Sequence, residues 1–281
     1  MKTHIFRFFT ASLILFSSFP CLADEALPPF DVKQGEAVYL TVEVPGSGGL
    51  RSAEFMGKKI FLDPAAEKGK YNIFLGVDML ATPSEQFLTD EKTGERLARI
   101  RILPAEFGHQ EFTVEASQDK TDPATLRRIV RETKQIRDVL AVNSSDRYWN
   151  GNFKMPVEGT LKGTFGFQRI INGQPRKPHS GEDIGAPEKT PVYASNDGVV
   201  IAVVDHYFVG KGIFLNHGHG IYTEYFHLNK VFIKKGEKVK KGQKIGLVGH
   251  TGRATGPHLH WGMAVNGARV NPLSALKLSL P

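Results

Sequence analysis

The chain has 281 residues, 41% of them hydrophobic and 23% charged, and a formal net charge of +7 at pH 7. That length accommodates two domains with separate cores. The single cysteine, Cys21, excludes a disulfide scaffold and a cysteine-ligated metal site, so a zinc centre would have to use His, Asp or Glu.

The N-terminus reads as a secretory signal peptide over residues 1–23. Lys2 and Arg7 form a basic start, residues 8–16 an apolar stretch too short to span a bilayer, and Cys21-Leu22-Ala23 a small-residue cleavage site. Phe19-Pro20 is a poor match to the small residues that precede a lipid-anchored cysteine. Removing Lys2 and Arg7 leaves about +5, a mild basicity that suits an anionic extracellular polymer. No later apolar run is long enough for a membrane-spanning helix, and nucleic acid is not expected as a partner of an exported protein.

Residues 24–118 alternate with period two. Val38, Leu40, Val42 and Val44 alternate with polar residues and end at Pro45-Gly46-Ser47-Gly48-Gly49, while Gly57-Lys58 separates two halves of a hairpin. Further strands are expected at 71–77, 98–103 and 111–114. The spacing predicts a mainly β fold, opening with an immunoglobulin-like β-sandwich. Residues 119–150 form a helical linker: Asp122 caps, Pro123 takes the first helical position, and Leu126, Ile129, Val130, Ile136 and Leu140 make an apolar stripe, with Arg127, Arg128, Arg131 and Arg137 mostly off it. Packing of this stripe on one of the domains is expected.

Residues 151–281 return to strands and glycine-rich turns, including Asn172-Gly173 and the lysine-rich stretch 234–244. In Pro257-His258-Leu259-His260-Trp261-Gly262, residues two apart share a strand face, so His258 and His260 aim at one spot. Leu259, Trp261, Met263 and Val265 fall on the core face. Upstream, His179 and Asp183 stand four apart; fully extended they would be roughly 13 Å from one another, so a bend at Gly181 is expected. His227 joins from Tyr225-Phe226-His227-Leu228. Catalytic zinc uses three protein ligands and an open position, and these five residues supply three ligands with two imidazoles to spare. Spacing alone does not say which histidine takes which role. His217 and His219 are read as surface residues near a turn.

His179-x-x-x-Asp183 with His258-x-His260, together with Phe165-Gly166, Pro191-Val192-Tyr193-Ala194, Tyr225-x-His227-Leu228, Gly242-Gln243-x-Ile245-Gly246 and Thr251-Gly252-x-x-x-Gly256-Pro257, resembles the lysostaphin-type zinc metallopeptidases, which cut peptide cross-links in bacterial cell walls. The resemblance implies a C-terminal antiparallel β peptidase domain with one Zn2+ held by His179, Asp183 and His260, and His227 and His258 as non-ligand catalytic histidines. His258 is favoured as the base. Glu182 stands where an apolar residue is usual, and Trp261-Gly262 replaces the common Phe-Glu. The implied substrate is peptidoglycan stem peptides, the implied address the periplasm or otherwise the cell wall or medium, and cell-envelope proteins are candidate partners. The alternative reading is a non-hydrolytic peptidoglycan-binding or amidase-activating module, and an N-terminal domain that shields the groove is a further expectation.

Overall fold

The computed structural model describes residues 27–45, 51–113 and 122–281. The expected signal segment, most of the glycine-rich turn at 46–49 and the end of the 111–114 strand lie outside them.

The first half is all β: β1 (Pro29–Lys33), β2 (Ala37–Glu43), β3 (Arg51–Phe55), β4 (Lys58–Pro64), β5 (Lys70–Gly76), β6 (Glu85–Asp90), β7 (Arg96–Leu103) and β8 (His109–Phe112). Seven of these form a sheet in the order β1-β7-β6-β3-β4-β5-β2, with β1 parallel to β7. Alternation placed β2 through β5 and β7; β1 and β6 were missed because their inward residues are few and flanked by charge. The expected hairpin forms between β3 and β4, with Met56 and Gly57 both at positive φ, the pairing that matches strand twist in a two-residue turn. Val42, Ala53, Ile60, Leu62, Ile73, Leu88 and Ile100 fill the core between its faces.

Helix α1 (Pro123–Leu140) begins as its sequence dictates: the Asp122 carboxylate accepts from the Ala124 and Thr125 N–H groups at 2.8 and 3.0 Å, with Pro123 just inside. Its apolar stripe packs in part: Ile129, Ile136 and Leu140 are half-buried on the side of the buried Glu132, while Leu126 and Val130 are 53% and 63% exposed. The helix is also held by polar contacts, described below.

The second half contains β9 (Thr160–Leu161), β10 (Gln168–Ile171), β11 (Gln174–Pro175), β12 (Gly181–Gly185), β13 (Pro191–Tyr193), β14 (Gly198–His206), β15 (Gly210–Gly218), β16 (Ile221–Val231), β17 (Lys238–Val239), β18 (Lys244–Val248), β19 (His258–Val265), β20 (Ala268–Val270) and the short helix α2 (Pro272–Ala275). The spine of its sheet is β17-β14-β15-β16-β19-β12-β9, antiparallel throughout. All of β19 is buried, which places it at the centre. Val192, Val200, Ile213, Leu215, Tyr225, Leu259 and Trp261 form the core beneath it.

The halves share structure. β8 pairs in parallel with β10, and a third core joins Phe74 and Ala37 to Trp149, Phe153, Ile221, Met263 and Val265. Phe74 meets Trp149 and Phe153 edge-on at 6.0 and 6.2 Å between ring centroids. His219 is buried in this contact, beside Phe61 and bonded to the Ser145 carbonyl at 3.0 Å. His217 is fully buried between the Asp197 carbonyl and the Thr223 hydroxyl, both at 2.7 Å. Neither is a surface residue as the sequence suggested: the turn they flank is covered by the chain from Ser144 to Trp149. No helix among the described residues is long and apolar enough to cross a membrane.

Candidate metal centre

The centre is built on the pairing of β12 with β19, whose register sets Asp183 opposite His260 and Gly185 opposite His258. Across the other edge of β19, β16 sets Phe226 opposite His260. One face of these three strands therefore collects Asp183, His258 and His260. His179 arrives from the loop just before β12, held by its N–H on the Phe167 carbonyl at 3.0 Å.

The segment bends between His179 and Asp183 as expected, since their Nε2 and Oδ1 atoms meet at 3.3 Å, while Gly181 itself already pairs with Gly262 as the first residue of β12. Gly181 is needed for space. A Cβ there would lie 2.6 Å from His260 Nε2 and 2.7 Å from the Trp261 carbonyl oxygen.

His179 Nε2, Asp183 Oδ1 and His260 Nδ1 converge. The separations are 2.8 Å between the two imidazole nitrogens and 3.3 and 3.1 Å from each to the carboxylate. One ligand atom from each residue lies within 4.8 Å of the others. His179 Nδ1 faces the Thr164 carbonyl at 3.1 Å. A carbonyl only accepts, so the Nδ1 proton is donated there and Nε2 presents its lone pair to the centre. Two ring nitrogens and a carboxylate so disposed fit a tetrahedral cation with one position open. Burial alone would raise the Asp183 carboxyl; the imidazoles of His179 and His260 outweigh it and hold it well below the usual carboxylate range. Burial lowers His260 to about 3, so the ring is neutral and able to ligate.

His227 and His258 lie beside this trio, with ring centroids 4.7 Å apart. His227 Nδ1 donates to the Thr251 carbonyl and His258 Nδ1 to the Gly256 carbonyl, both at 2.8 Å. Both Nε2 atoms therefore carry lone pairs, and that of His258 stands 3.7 Å from Asp183 Oδ1. Desolvation, first among the influences on it, pushes His227 down to about 4.

His227 reaches the site by a route that alternation does not foresee. Its neighbour Phe226 stacks on His260, with centroids 5.4 Å apart and planes 6° from parallel, so a regular strand would turn His227 away. His227 has φ of 63°, in the left-handed region, next to a register shift in β16. That conformation costs about 1–3 kcal/mol and brings two successive side chains to the same face.

The tip of the β14–β15 hairpin borders the site. The Val209 carbonyl accepts the His227 N–H and the Phe208 carbonyl accepts the Arg253 N–H, both at 2.9 Å, while Tyr207 and Phe208 are partly exposed. On the opposite face of β12, buried Glu182 accepts the Gly163 N–H at 2.5 Å, and so takes no part in the centre.

A His/Asp/His cluster that could hold a metal ion, on an antiparallel sheet with two further imidazoles beside it, is an arrangement that suits a metallopeptidase. A model of peptidase family M23 matches residues 177–272, which include all five of these residues. The crystal structure of a Pseudomonas aeruginosa protein described as an M23 peptidase superposes with a TM-score of 0.67 at 30% identity, covering 85% of this chain and 92% of that one. The chain belongs to peptidase family M23. Among curated relatives, the Vibrio cholerae peptidoglycan DD-endopeptidase ShyA is 47% identical over 104 residues, covering 37% of this chain and 24% of its own. ShyC of the same organism is 34% identical over 174 residues, covering 58% of this chain and 40% of its own. The chain thus spans less than half the length of these relatives.

Proposed function

We propose that the chain is an exported zinc endopeptidase that hydrolyses peptide cross-links of peptidoglycan. The observation that carries this reading is the complete set: three converging ligand atoms and two more imidazoles with their Nε2 lone pairs directed to the same space. The named activity of the V. cholerae relatives supports peptidoglycan as the substrate, and the sequence of residues 1–23 supports export.

His179, Asp183 and His260 would hold the zinc, which supplies a polarised water of pKa near 7. Around it, the chain's own groups divide the proton work. His258 is placed to accept a proton at Nε2, since its Nδ1 is committed to the Gly256 carbonyl. His227, neutral and equally oriented by Thr251, is placed to donate a hydrogen bond to a developing oxyanion once protonated, and the roles can exchange as the leaving amine takes its proton. Phe226, stacked on His260, helps to fix that ring.

A non-hydrolytic member of this fold would lack part of the ligand set, which is whole here. The deciding experiment is mass spectrometry of cross-linked peptidoglycan digested by the zinc-loaded protein, with His179→Ala as control. New un-cross-linked stem peptides that vanish in the control establish the activity and identify the bond. Intact cross-links despite bound zinc would overturn the enzyme reading in favour of a binding or activating role.

A further inference from the structure

The left-handed backbone of His227 persists only where its surroundings over-determine it. Two carbonyls do this: Val209 accepts its N–H at 2.9 Å, and Thr251 accepts its Nδ1–H at 2.8 Å. The two acceptors belong to one unit. The hairpin tip at 205–210 and the loop at 251–253 meet backbone to backbone. The Arg253 N–H donates to the Phe208 carbonyl and the Lys211 N–H to Thr251 Oγ1, both at 2.9 Å. A Cβ added at Gly210 would lie 2.3 Å from the Thr251 carbonyl carbon. Whatever fixes this unit fixes His227.

Helix α1 grips the same tip. Glu132 Oε2 accepts the Tyr207 N–H at 2.8 Å, and Arg128 donates to the Asp205 carbonyl at 3.1 Å while its Nε pairs with Glu132 Oε1 at 2.6 Å. Glu132 is the one buried residue of the helix. Burying a carboxylate is costly unless it is paired and hydrogen-bonded. Here both oxygens are committed, one to Arg128 and one to the tip. An apolar residue at this place would avoid that cost and leave the tip unheld. Residues 128 and 132 precede the 177–272 stretch that matches the family model, so the grip reaches the tip from outside the matched stretch.

We propose that Glu132, braced by Arg128, is a positioning residue: through the Tyr207 N–H it fixes the hairpin tip whose Val209 carbonyl holds His227, and so sets where the His227 imidazole stands beside the metal centre. Its bearing on turnover rests on the peptidase reading above; its hold on His227 does not.

The hold is read without activity by two-dimensional proton–nitrogen NMR of the histidine rings in the zinc-loaded protein, the His227 signals being those that disappear in His227→Gly. Glu132→Ala should shift or broaden the His227 signals while zinc content stays at one per chain. Glu132→Gln, which keeps an acceptor for the Tyr207 N–H, should restore most of the wild-type spectrum. Arg128→Ala, at an exposed side chain, removes the brace and should move the same signals less; it carries the test if Glu132→Ala does not fold.

Turnover is then measured on a cross-linked dimer of stem peptides. Glu132→Ala should lower kcat by about tenfold or more, the scale of a displaced catalytic group, with KM little changed. In a His227→Gly background the same substitution should change the residual kcat by less than about twofold, because the group it positions is gone. Unmoved His227 signals in Glu132→Ala, or in Arg128→Ala where the former is unfolded, would overturn the positioning role, as would an equal loss of kcat in the two backgrounds. Moved signals without cleavage by the wild type would remove the peptidase reading alone. Cleavage with unmoved signals would remove the positioning role alone.

Discussion

Glu132 accepts a hydrogen bond from the Tyr207 backbone N–H at 2.8 Å and so ties the helix between the two halves to the hairpin tip that holds His227. The same carboxylate receives Arg128 Nε at 2.6 Å, and Arg128 donates further to the Asp205 carbonyl at 3.1 Å. Glu132→Ala removes the acceptor of the part-buried Tyr207 N–H, which costs about 0.5–1.5 kcal/mol. Glu132→Gln keeps an acceptor and should recover part of this. Burial pushes the Glu132 carboxyl up, but the Tyr207 N–H and Arg128 outweigh it and hold its pKa below 4.5. A depressed carboxyl stabilises the fold above its unfolded pKa, and that contribution disappears as pH falls through the folded value. The melting-temperature gap between wild type and Glu132→Gln should therefore be full at pH 7 and close below about pH 4. A gap that is constant with pH would contradict the assignment.

The close contact at Gly181 is testable by the smallest addition. Gly181→Ala places a methyl against His260 Nε2 and the Trp261 carbonyl, neither of which can yield without shifting β19. Zinc affinity, measured by competition with a chromophoric chelator, should fall by about 10–100-fold, the range seen when the support of a ligand is disturbed. Unchanged affinity would show that β12 can move away from β19.

His227→Gly should separate stability from activity. Glycine accepts the left-handed backbone without strain, so melting temperature is expected to hold or rise. Turnover should drop by about 10²–10⁴-fold, the usual contribution of a positioned proton-transfer group. His258→Ala should likewise lose turnover while its zinc content stays at one per chain. Loss of zinc in either variant would mean that the ligand set is wrong.

Metal removal should destabilise the second half in particular. His179 and His260 turn ring nitrogens toward each other and toward Asp183, an arrangement that a cation relieves. Zinc at 1,000 times its dissociation constant should stabilise the fold by about 4 kcal/mol, read as a rise in melting temperature that chelation reverses. The rise should vanish in His179→Ala.

Phe74→Ala should uncouple the halves. The ring is 4% exposed and sits against Trp149 and Phe153, so truncation costs about 3–5 kcal/mol. Calorimetry should then resolve two unfolding transitions where the wild type shows one. A single transition at unchanged temperature would show that the β8–β10 pairing suffices.

The site was legible in the sequence to an unusual degree because its chemistry is local. His258 and His260 share a face by the pleat alone, and β19 obeys that rule. His179 and Asp183 were readable as partners, and the chain between them bends as expected, with His179 on the loop and Gly181 already paired in β12. His227 was placed by resemblance; alternation would have set it on the wrong face, since Phe226 occupies the right one. The apolar stripe on α1 was visible and is half-buried at Ile129, Ile136 and Leu140, but the anchoring of the helix through Glu132 and Arg128 was not, because the Tyr207 N–H and the Asp205 carbonyl that they meet lie 75 and 77 residues away.

By itself, the sequence determined the residue types of the centre, the strand alternation that builds its sheet, the cap of α1 and the absence of cysteine chemistry. These follow from periods of two and from short-range bonding, which depend on neighbours a few residues away. Only the tertiary structure decided the register of β12 and β16 against β19, the left-handed turn of His227, and the burial of His217 and His219. Each of those depends on which distant segments pair and how closely their backbones meet, and a one-residue change in register would send every side chain of a strand to its other face.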